Sequence, residues 1–354
     1  MRVTFNKYLY KWYDQNIRLH PWLGSKNAYL IWLSEIIMQQ TRIEQGTSYF
    51  LKFAKKYPTV KHLAKAKEDE VLKLWEGLGY YSRARNLLQT AKEIVEVNHG
   101  NFPQTYNELI KLKGIGPYTA SAILSFAFGK PYAVMDGNVL RILSRIFGIR
   151  EPIDTTEGKK KFSALAERLI DRKDPGKYNQ AIMDFGALIC TPAAPRCGEC
   201  PFRKTCYAFQ NDLVELLPVK SKKAEKKKRY FNYLIFTDGK QTLIEKRTRK
   251  DIWLNLYQFP MIESTKKMNR SLLIKSKQFR DIISNRKTDI ISHRQFTQEL
   301  THQFIKADFF MIRIDALQRL KAGETITVSR SALKKYAFPG VIREYLQEIP
   351  TFRS

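Results

Sequence analysis

Between Asn27 and about Phe209, apolar residues recur three or four positions apart in one segment after another, and then the pattern stops. AYLIWLSEIIMQQT, EDEVLKLWEGL, RARNLLQTAKEIVEV, YNELIKL, PYTASAILSFAF and GNVLRILSRIFGI all carry it, punctuated by Gly, Pro and Asn. Such spacing lines one face of a helix, so the first two-thirds of the chain is expected to be all-α. Past it lies VKSKKAEKKKR (219–229), with seven basic residues and a single acid, a composition suited to a solvated linker. YFNYLIFTDGKQTLIEKR then alternates about an Asp-Gly turn, which signals a hairpin, and HQFIKADFFMIRI has strand character. The expected organisation is a helical domain over 1–217, a basic linker over 218–229 and a separate α+β domain over 230–354.

A length of 354 residues also exceeds what one ordinary core accommodates. Sixty-two Lys and Arg stand against 34 Asp and Glu, a formal charge of +28. A field of that sign favours an anionic partner, nucleic acid ahead of a membrane surface. Hydrophobic content of 44% excludes a disordered basic tail. The opening MRVTFNKYLYKWYDQN lacks the apolar core of a signal peptide, and no run approaches membrane-spanning length. A reducing, cytoplasmic setting with no membrane partner is therefore expected. That expectation bears on Cys190, Cys197, Cys200 and Cys206, the four cysteines of the chain, all within CTPAAPRCGECPFRKTC. Disulfides are disfavoured in a reducing compartment, leaving thiolate-bound metal, with zinc and iron–sulfur both open.

Three further stretches carry chemistry. In LKGIGPYTA (112–120) a helix is expected to end at Lys113, Gly114 and Gly116 to form a tight turn, and Pro117 to open the next helix. Free backbone amides and a helix N-terminus then make a site for one DNA phosphate, a helix-hairpin-helix. Glu35 sits in YLIWLSEIIMQQT with apolar neighbours on both sides, so desolvation should raise its pKa and keep a proton available near neutrality. Asp136 of VMDGNVLR follows an apolar run and precedes a helix, which marks an N-cap whose carboxylate the helix amides keep ionised. An acid paired with a carboxylate is what cleavage of a glycosidic bond requires, so these residues point to an N-glycosylase acting on DNA.

The hairpin LKGIGPYTA, the downstream VMDGNV and the C-x6-C-x2-C-x5-C run together resemble the endonuclease III superfamily of base-excision DNA glycosylases. Within it, WLSEIIMQQT, GLGYYSRARNL and GPYTA are similar to the adenine DNA glycosylases, the MutY family. The resemblance covers most of residues 10–210. It implies a [4Fe–4S] cluster on Cys190, Cys197, Cys200 and Cys206, holding a basic loop against DNA. It implies that Glu35 protonates a flipped adenine and later activates water. Asp136 then stabilises the sugar cation or transiently bonds to it, Tyr118 assists, and Asn138 orients the site. Bifunctional relatives carry a lysine where this chain has Tyr118, and tyrosine cannot form the Schiff base that cuts the strand. A monofunctional enzyme is implied, rather than a pyrimidine-lesion glycosylase/lyase or a non-catalytic DNA-binding protein.

Further positions follow from the same resemblance. Arg18 and Trp22 match the adenine-pocket pattern, although Leu23 stands where many members carry Arg. Gln40 and Tyr80 match residues that fill or wedge the base stack, with Met38 at an apolar lining position. DGKQTLIEKR and LYQFPMIE resemble a Nudix-like lesion-recognition domain, without the glutamate-rich helix that a Nudix hydrolase needs. ELTHQF nominates Thr301 and His302 for contact with 8-oxoguanine, and SHRQF (292–296) is a competing alignment. The partner implied is double-stranded DNA with an A:8-oxoguanine or A:G mispair, bound by a monomer, at the nucleoid if the source is bacterial.

Overall fold

The computed structural model describes residues 2–221, 225–284, 286, 288–317, 320 and 322–349. The chain forms two compact units, residues 1–65 with 86–222, and residues 66–85 with 223–354. Linker residues 222–224 and the C-terminal 350–354 lie outside the described set.

The first unit is helical throughout its described residues. Several helix starts have a local cause. Asn27 accepts from the amides of Tyr29 and Leu30 and opens Ala28–Met38. Pro117 occupies the first turn of Pro117–Phe126, where its missing N–H costs nothing. Asp136 caps Gly137–Phe147, and that helix ends on Gly148 in the left-handed conformation (φ +71°). Added bulk at Gly148 would lie 2.6 Å from the Tyr207 ring. Buried residues of Arg2–Tyr13, Gly137–Phe147, Thr156–Leu169 and Pro175–Leu188 make one apolar core, including Leu9, Trp12, Ile142, Phe162 and Phe185. Phe202 of the cysteine loop enters that core, stacked on Phe5 at 4.9 Å and edge-on to Phe185 at 5.4 Å. The helix expected to run to Lys113 instead covers Tyr106–Leu109, and turns carry the chain to Gly114. Among the described residues no helix is long and apolar enough to cross a membrane.

The second unit is a mixed sheet with helices. Its strands are β1 (Lys227–Thr237), β2 (Gln241–Lys246), β3 (Tyr257–Gln258), β4 (Met261–Ser264), β5 (Asp289–Glu299), β6 (Gln303–Arg313) and β7 (Thr325–Ser329). The order is β3-β2-β1-β6-β5, with β4 also on β1 and β7 on β2. β1 and β6 run parallel in register from Lys227↔Gln303 to Thr237↔Arg313, whereas β5 and β6 are an antiparallel hairpin. The alternation expected in β1 is lost, because every residue from Phe231 to Thr237 is buried. A central strand covered on both faces has no wet side. Leu234 and Phe236 pack with Phe279 and Ile283 of Lys277–Ile283 on one face. On the other, Tyr233 stacks on Phe309 at 4.9 Å, and Phe309 on Tyr345 of Gly340–Glu348 at 4.2 Å.

Residues 66–85 group with the C-terminal unit although they lie within the helical part of the sequence. Glu68–Trp75 and the turn after it belong with the C-terminal sheet, because long-range polar contacts hold them there. Asp69 accepts from Lys246 Nζ at 2.6 Å and from the Tyr257 hydroxyl at 3.2 Å. Glu76 accepts from the Phe338 amide at 2.9 Å, and Lys73 Nζ donates to the Tyr336 carbonyl at 2.9 Å. The expected linker is structured at both ends. Val219 accepts from the Ile153 amide at 3.0 Å and Ser221 Oγ donates to Asp154 at 2.9 Å, while Lys227 already opens β1.

Phe309 is fully buried between two stacked tyrosines, so Phe309→Ala removes contacts that the surrounding sheet cannot collapse to restore. A loss of about 3–5 kcal/mol is expected in the unfolding of the second unit, read from the midpoint of a denaturant titration.

Candidate active site

Glu35 lies on Ala28–Met38, a helix whose buried residues extend from Ile31 through Ile37 without a gap. The residue is only 9% exposed. Burial pushes its carboxyl up to about 7, the charge of Asp136 adds to the rise, and the Tyr118 hydroxyl opposes it. Tyr118, in the first turn of Pro117–Phe126, is itself pushed well above 10 by burial and then by Glu35 and Asp136. Its hydroxyl donates to Met183 Sδ at 3.3 Å. Gln39 Nε2, just past the end of the Glu35 helix, reaches Thr119 Oγ1 at 3.4 Å and ties the two helices. Glu35, Tyr118 and Asp136 therefore share one electrostatic site.

Asp136 is held from two sides. Its Oδ1 accepts from the Val139 amide at 2.8 Å and its Oδ2 from Asn138 Nδ2 at 2.7 Å. The carboxyl is nevertheless raised above its ordinary 3.8, because burial outweighs these donors and the more distant Arg141. Capping by the helix amides lowers the pKa as expected of an N-cap, and desolvation is the larger influence.

A cavity of about 300 Å³ opens beside Glu35, walled by Trp22, Leu23, Ile31, Phe126 and Gln180. Trp22 stacks on His20 at 5.3 Å and meets Phe50 edge-on at 5.0 Å. Arg18 Nη1 is 3.8 Å from Asp184, whose carboxylate is almost fully buried and also accepts from Gln180 Nε2 at 3.2 Å. Burial pushes Asp184 up to about 6, against the pull of Gln180 and Arg18. Asp184 and Gln180 escaped the sequence reading. The available signal was an acid within apolar AIMDFGAL, the same kind that marks Glu35.

Two arginines were also missed. Arg141 and Arg145 sit one turn apart in NVLRILSRIF and are 6% and 2% exposed. Arg141 donates to the Asn138 side-chain oxygen at 2.8 Å, the Gly186 carbonyl at 2.8 Å and the Cys190 carbonyl at 2.6 Å. Arg145 donates to the carbonyls of Leu217, Thr191 and Pro192, and its Nη1 is 3.5 Å from Cys190 Sγ. Asp136, through Asn138 and Arg141, is thus linked to the cysteine loop.

The four cysteines form no disulfide. Among the described residues no group of three or more His, Cys, Asp or Glu is placed so that it could hold a metal ion. The thiols do sense one another: burial, then the charge of Cys190, raises Cys197, and burial pushes Cys200 up to about 12, with Cys190, Cys206 and Cys197 adding to it. Backbone amides near Phe202, Ala208 and Phe209 favour the thiolates of Cys200 and Cys206. The donor set, four coupled thiols with amide donors near Cys200 and Cys206 and Arg145 beside Cys190, has the chemistry that an all-thiolate centre would use.

The remaining expected positions fall on the surface. Gly114 takes a left-handed conformation (φ +82°), with Asn86 Cβ 2.9 Å from where a side chain would start, so glycine is required there. Gly116, extended at φ −91°, is the N-cap of Pro117–Phe126, with open space around it. Met38 packs over Gly46, and Gln40 is exposed with φ +55°. In the second unit Tyr80 is 48% exposed with φ +48°, and its hydroxyl lies 2.6 Å from Thr301 Oγ1. Thr301 and His302 form the exposed tip between β5 and β6, closed by a 2.8 Å bond from the Leu300 amide to the Gln303 carbonyl. His293, from the competing SHRQF alignment, lies within β5, bonded to buried Asp308 at 2.7 Å and stacked on Phe310.

Burial of Glu35 has a consequence for stability. A carboxyl with a folded-state pKa above its unfolded value binds its proton more tightly when folded, so ionisation disfavours the fold. The loss begins as pH rises past about 4.5 and is complete above about 7. Glu35→Gln is therefore expected to be more stable than the parent by roughly 3 kcal/mol near pH 8. The difference should close toward pH 4.5, as measured by denaturant unfolding across that range.

Residues 33–170 match the HhH-GPD superfamily base excision DNA repair proteins, and residues 232–348 match the NUDIX domain family. An adenine DNA glycosylase of Buchnera aphidicola subsp. Schizaphis graminum is 38% identical over 262 residues, covering 74% of this chain and 76% of that one. A thermostable thymine-DNA glycosylase superposes with a TM-score of 0.56 and 28% identity, over 59% of this chain and 97% of its own. An endonuclease III bound to DNA superposes at 0.52 and 20% identity, over 60% and 98%, and shares the fold. Helical architecture, family match and length of aligned sequence converge: this chain belongs to the adenine DNA glycosylase family of HhH-GPD base excision repair proteins, with a Nudix-like C-terminal domain.

Proposed function

We propose that the chain excises adenine standing opposite 8-oxoguanine, and opposite guanine, by acid-assisted hydrolysis of the N-glycosidic bond of a flipped-out nucleotide. The observation that carries this reading is the environment of Glu35, a carboxyl raised to about 7 beside a base-sized cavity and next to a second, anchored carboxyl. At neutral pH Glu35 holds a proton for a substantial fraction of the time and can deliver it to the departing base. Asp136, oriented by Asn138 and the Val139 amide, faces the positive charge that develops on the sugar. Glu35, then ionised, accepts a proton from the incoming water. Trp22 and Arg18 belong to the pocket side of this site, and Tyr118 offers no amine for a Schiff base, so the strand stays intact.

DNA would be gripped at Gly114 and Gly116, where the amides opening Pro117–Phe126 suit a phosphate. Flipping leaves a gap in the stack, for which Gln40, Met38 and Tyr80 are suited. Thr301 and His302 offer a hydroxyl and an imidazole at an exposed hairpin tip, fitting a role in reading the base opposite adenine. Cys190, Cys197, Cys200 and Cys206 would hold a [4Fe–4S] cluster, which when bound cross-links the loop that Phe202 anchors. The chain acts as a monomer in this reading, in whichever compartment holds the DNA.

Duplexes carrying A opposite 8-oxoguanine test the reaction. Strand breaks are expected only after hot alkali. Breaks without alkali would indicate a lyase, and intact strands in both samples a binding protein. The metal assignment is tested by analysis of anaerobically purified protein: about four irons and four sulfides per chain, with a broad visible absorption, are expected. Stoichiometric zinc in a colourless protein would contradict it.

A further inference from the structure

Tyr80 is an exposed aromatic residue in a conformation that few aromatic residues adopt. Gly77, Gly79 and Tyr80 all have positive φ, at 105°, 71° and 48°, so the chain between Glu68–Trp75 and Ser82–Asn98 folds through three left-handed residues in four positions. Glycine carries that geometry without strain and tyrosine does not. Something must hold the turn, and the contacts identify it. Arg83 Nη2 donates to the carbonyls of Leu78 and Gly79, each at 3.3 Å. The same guanidinium lies over the Tyr80 ring at 5.6 Å and over the Trp75 ring at 5.0 Å. Trp75 Nε1 adds a second donor to the Gly79 carbonyl at 3.0 Å. The Arg83 amide closes the turn onto the Tyr80 carbonyl at 2.8 Å.

We propose that Arg83 is a positioning residue that holds Tyr80 in its projecting conformation and contributes to base extrusion through Tyr80. This rests on the reading of Tyr80 as a residue that enters the base stack. A planar, forked cation can bridge two carbonyls and lie against a ring at once, whereas a lysine ammonium is a point charge that does one or the other. Burial pushes Arg83 down to about 10, which leaves it charged at neutral pH and withdrawn from water, where ring and carbonyl contacts are stronger. Thr301 meets the far end of the same ring at the hydroxyl. The side chain is thus held at its base by Arg83 and at its tip by the hairpin.

A mutant cycle on the full chain tests the proposal. The probe is 2-aminopurine, placed opposite 8-oxoguanine in a duplex, whose fluorescence rises when it leaves the stack. Glu35→Gln serves as the background so that no base is removed, and protein is saturating so that affinity does not enter. Tyr80→Ala is expected to cut the fluorescence rise at least threefold, Arg83→Ala nearly as far, and the double variant no further than Tyr80→Ala alone. Arg83→Lys, which keeps charge and stem, is expected to show the same loss with an unfolding midpoint matching the background. That guards against a variant of Arg83→Ala that fails to fold. A full signal from Arg83→Lys, or losses that multiply in the double variant, would overturn the role of Arg83. A full signal from Tyr80→Ala would instead overturn the reading of Tyr80.

Discussion

Two buried cations on one helix determine how the helical unit is joined together. Arg141 and Arg145 leave water almost completely, and a guanidinium does so only where acceptors surround it. Here the acceptors are backbone carbonyls of the cysteine loop and its approaches, Cys190, Thr191, Pro192 and Leu217, together with Gly186. Each carbonyl is fixed by the arginine it satisfies, and each arginine is fixed in return. Asn138 is part of the same set, so the side chain that orients Asp136 is itself oriented by Arg141. Removal of one member would strand several buried polar groups at once.

Desolvation has the larger influence on the carboxyls of this unit. Glu35, Asp136 and Asp184 are all raised, though each has partners that pull the other way. Glu35 has a single opposing hydroxyl and is raised to about 7. Asp136 has two amides, an amide side chain and a guanidinium working against burial. The two carboxyls thus differ in donor supply as well as in burial, Glu35 being buried and Asp136 half-buried.

Much of this was legible in the sequence, for physical reasons. Helical periodicity, the caps at Asn27 and Asp136, and Pro117 at a first turn are local, so they survive in one dimension. An acid inside YLIWLSEIIM announces its own burial. Asp136 showed the limit of such inference, since its cap was visible and the packing that outweighs the cap was not. Arg141 and Arg145 carried the same signal as Glu35, a charge within an apolar helix, but many of their partners are carbonyls 45 and more residues away. The alternation anticipated in β1 failed because periodicity reports one covered face, and a central strand has two.

Residues 66–85 give the second unit an uneven history. They leave the ribosome long before the sheet that receives them. Asp69 waits for Lys246, 177 positions on, and Glu76 for Phe338, 262 positions on. Closing loops of that length is slow, so the helical unit, rich in nearby contacts, can take shape while this piece remains unhoused. The acidic first turn, Glu68, Asp69 and Glu70, suits a segment that must stay hydrated meanwhile. A chain interrupted before β1 therefore carries the orphaned fragment of a domain it never makes, inserted into the middle of the one it does.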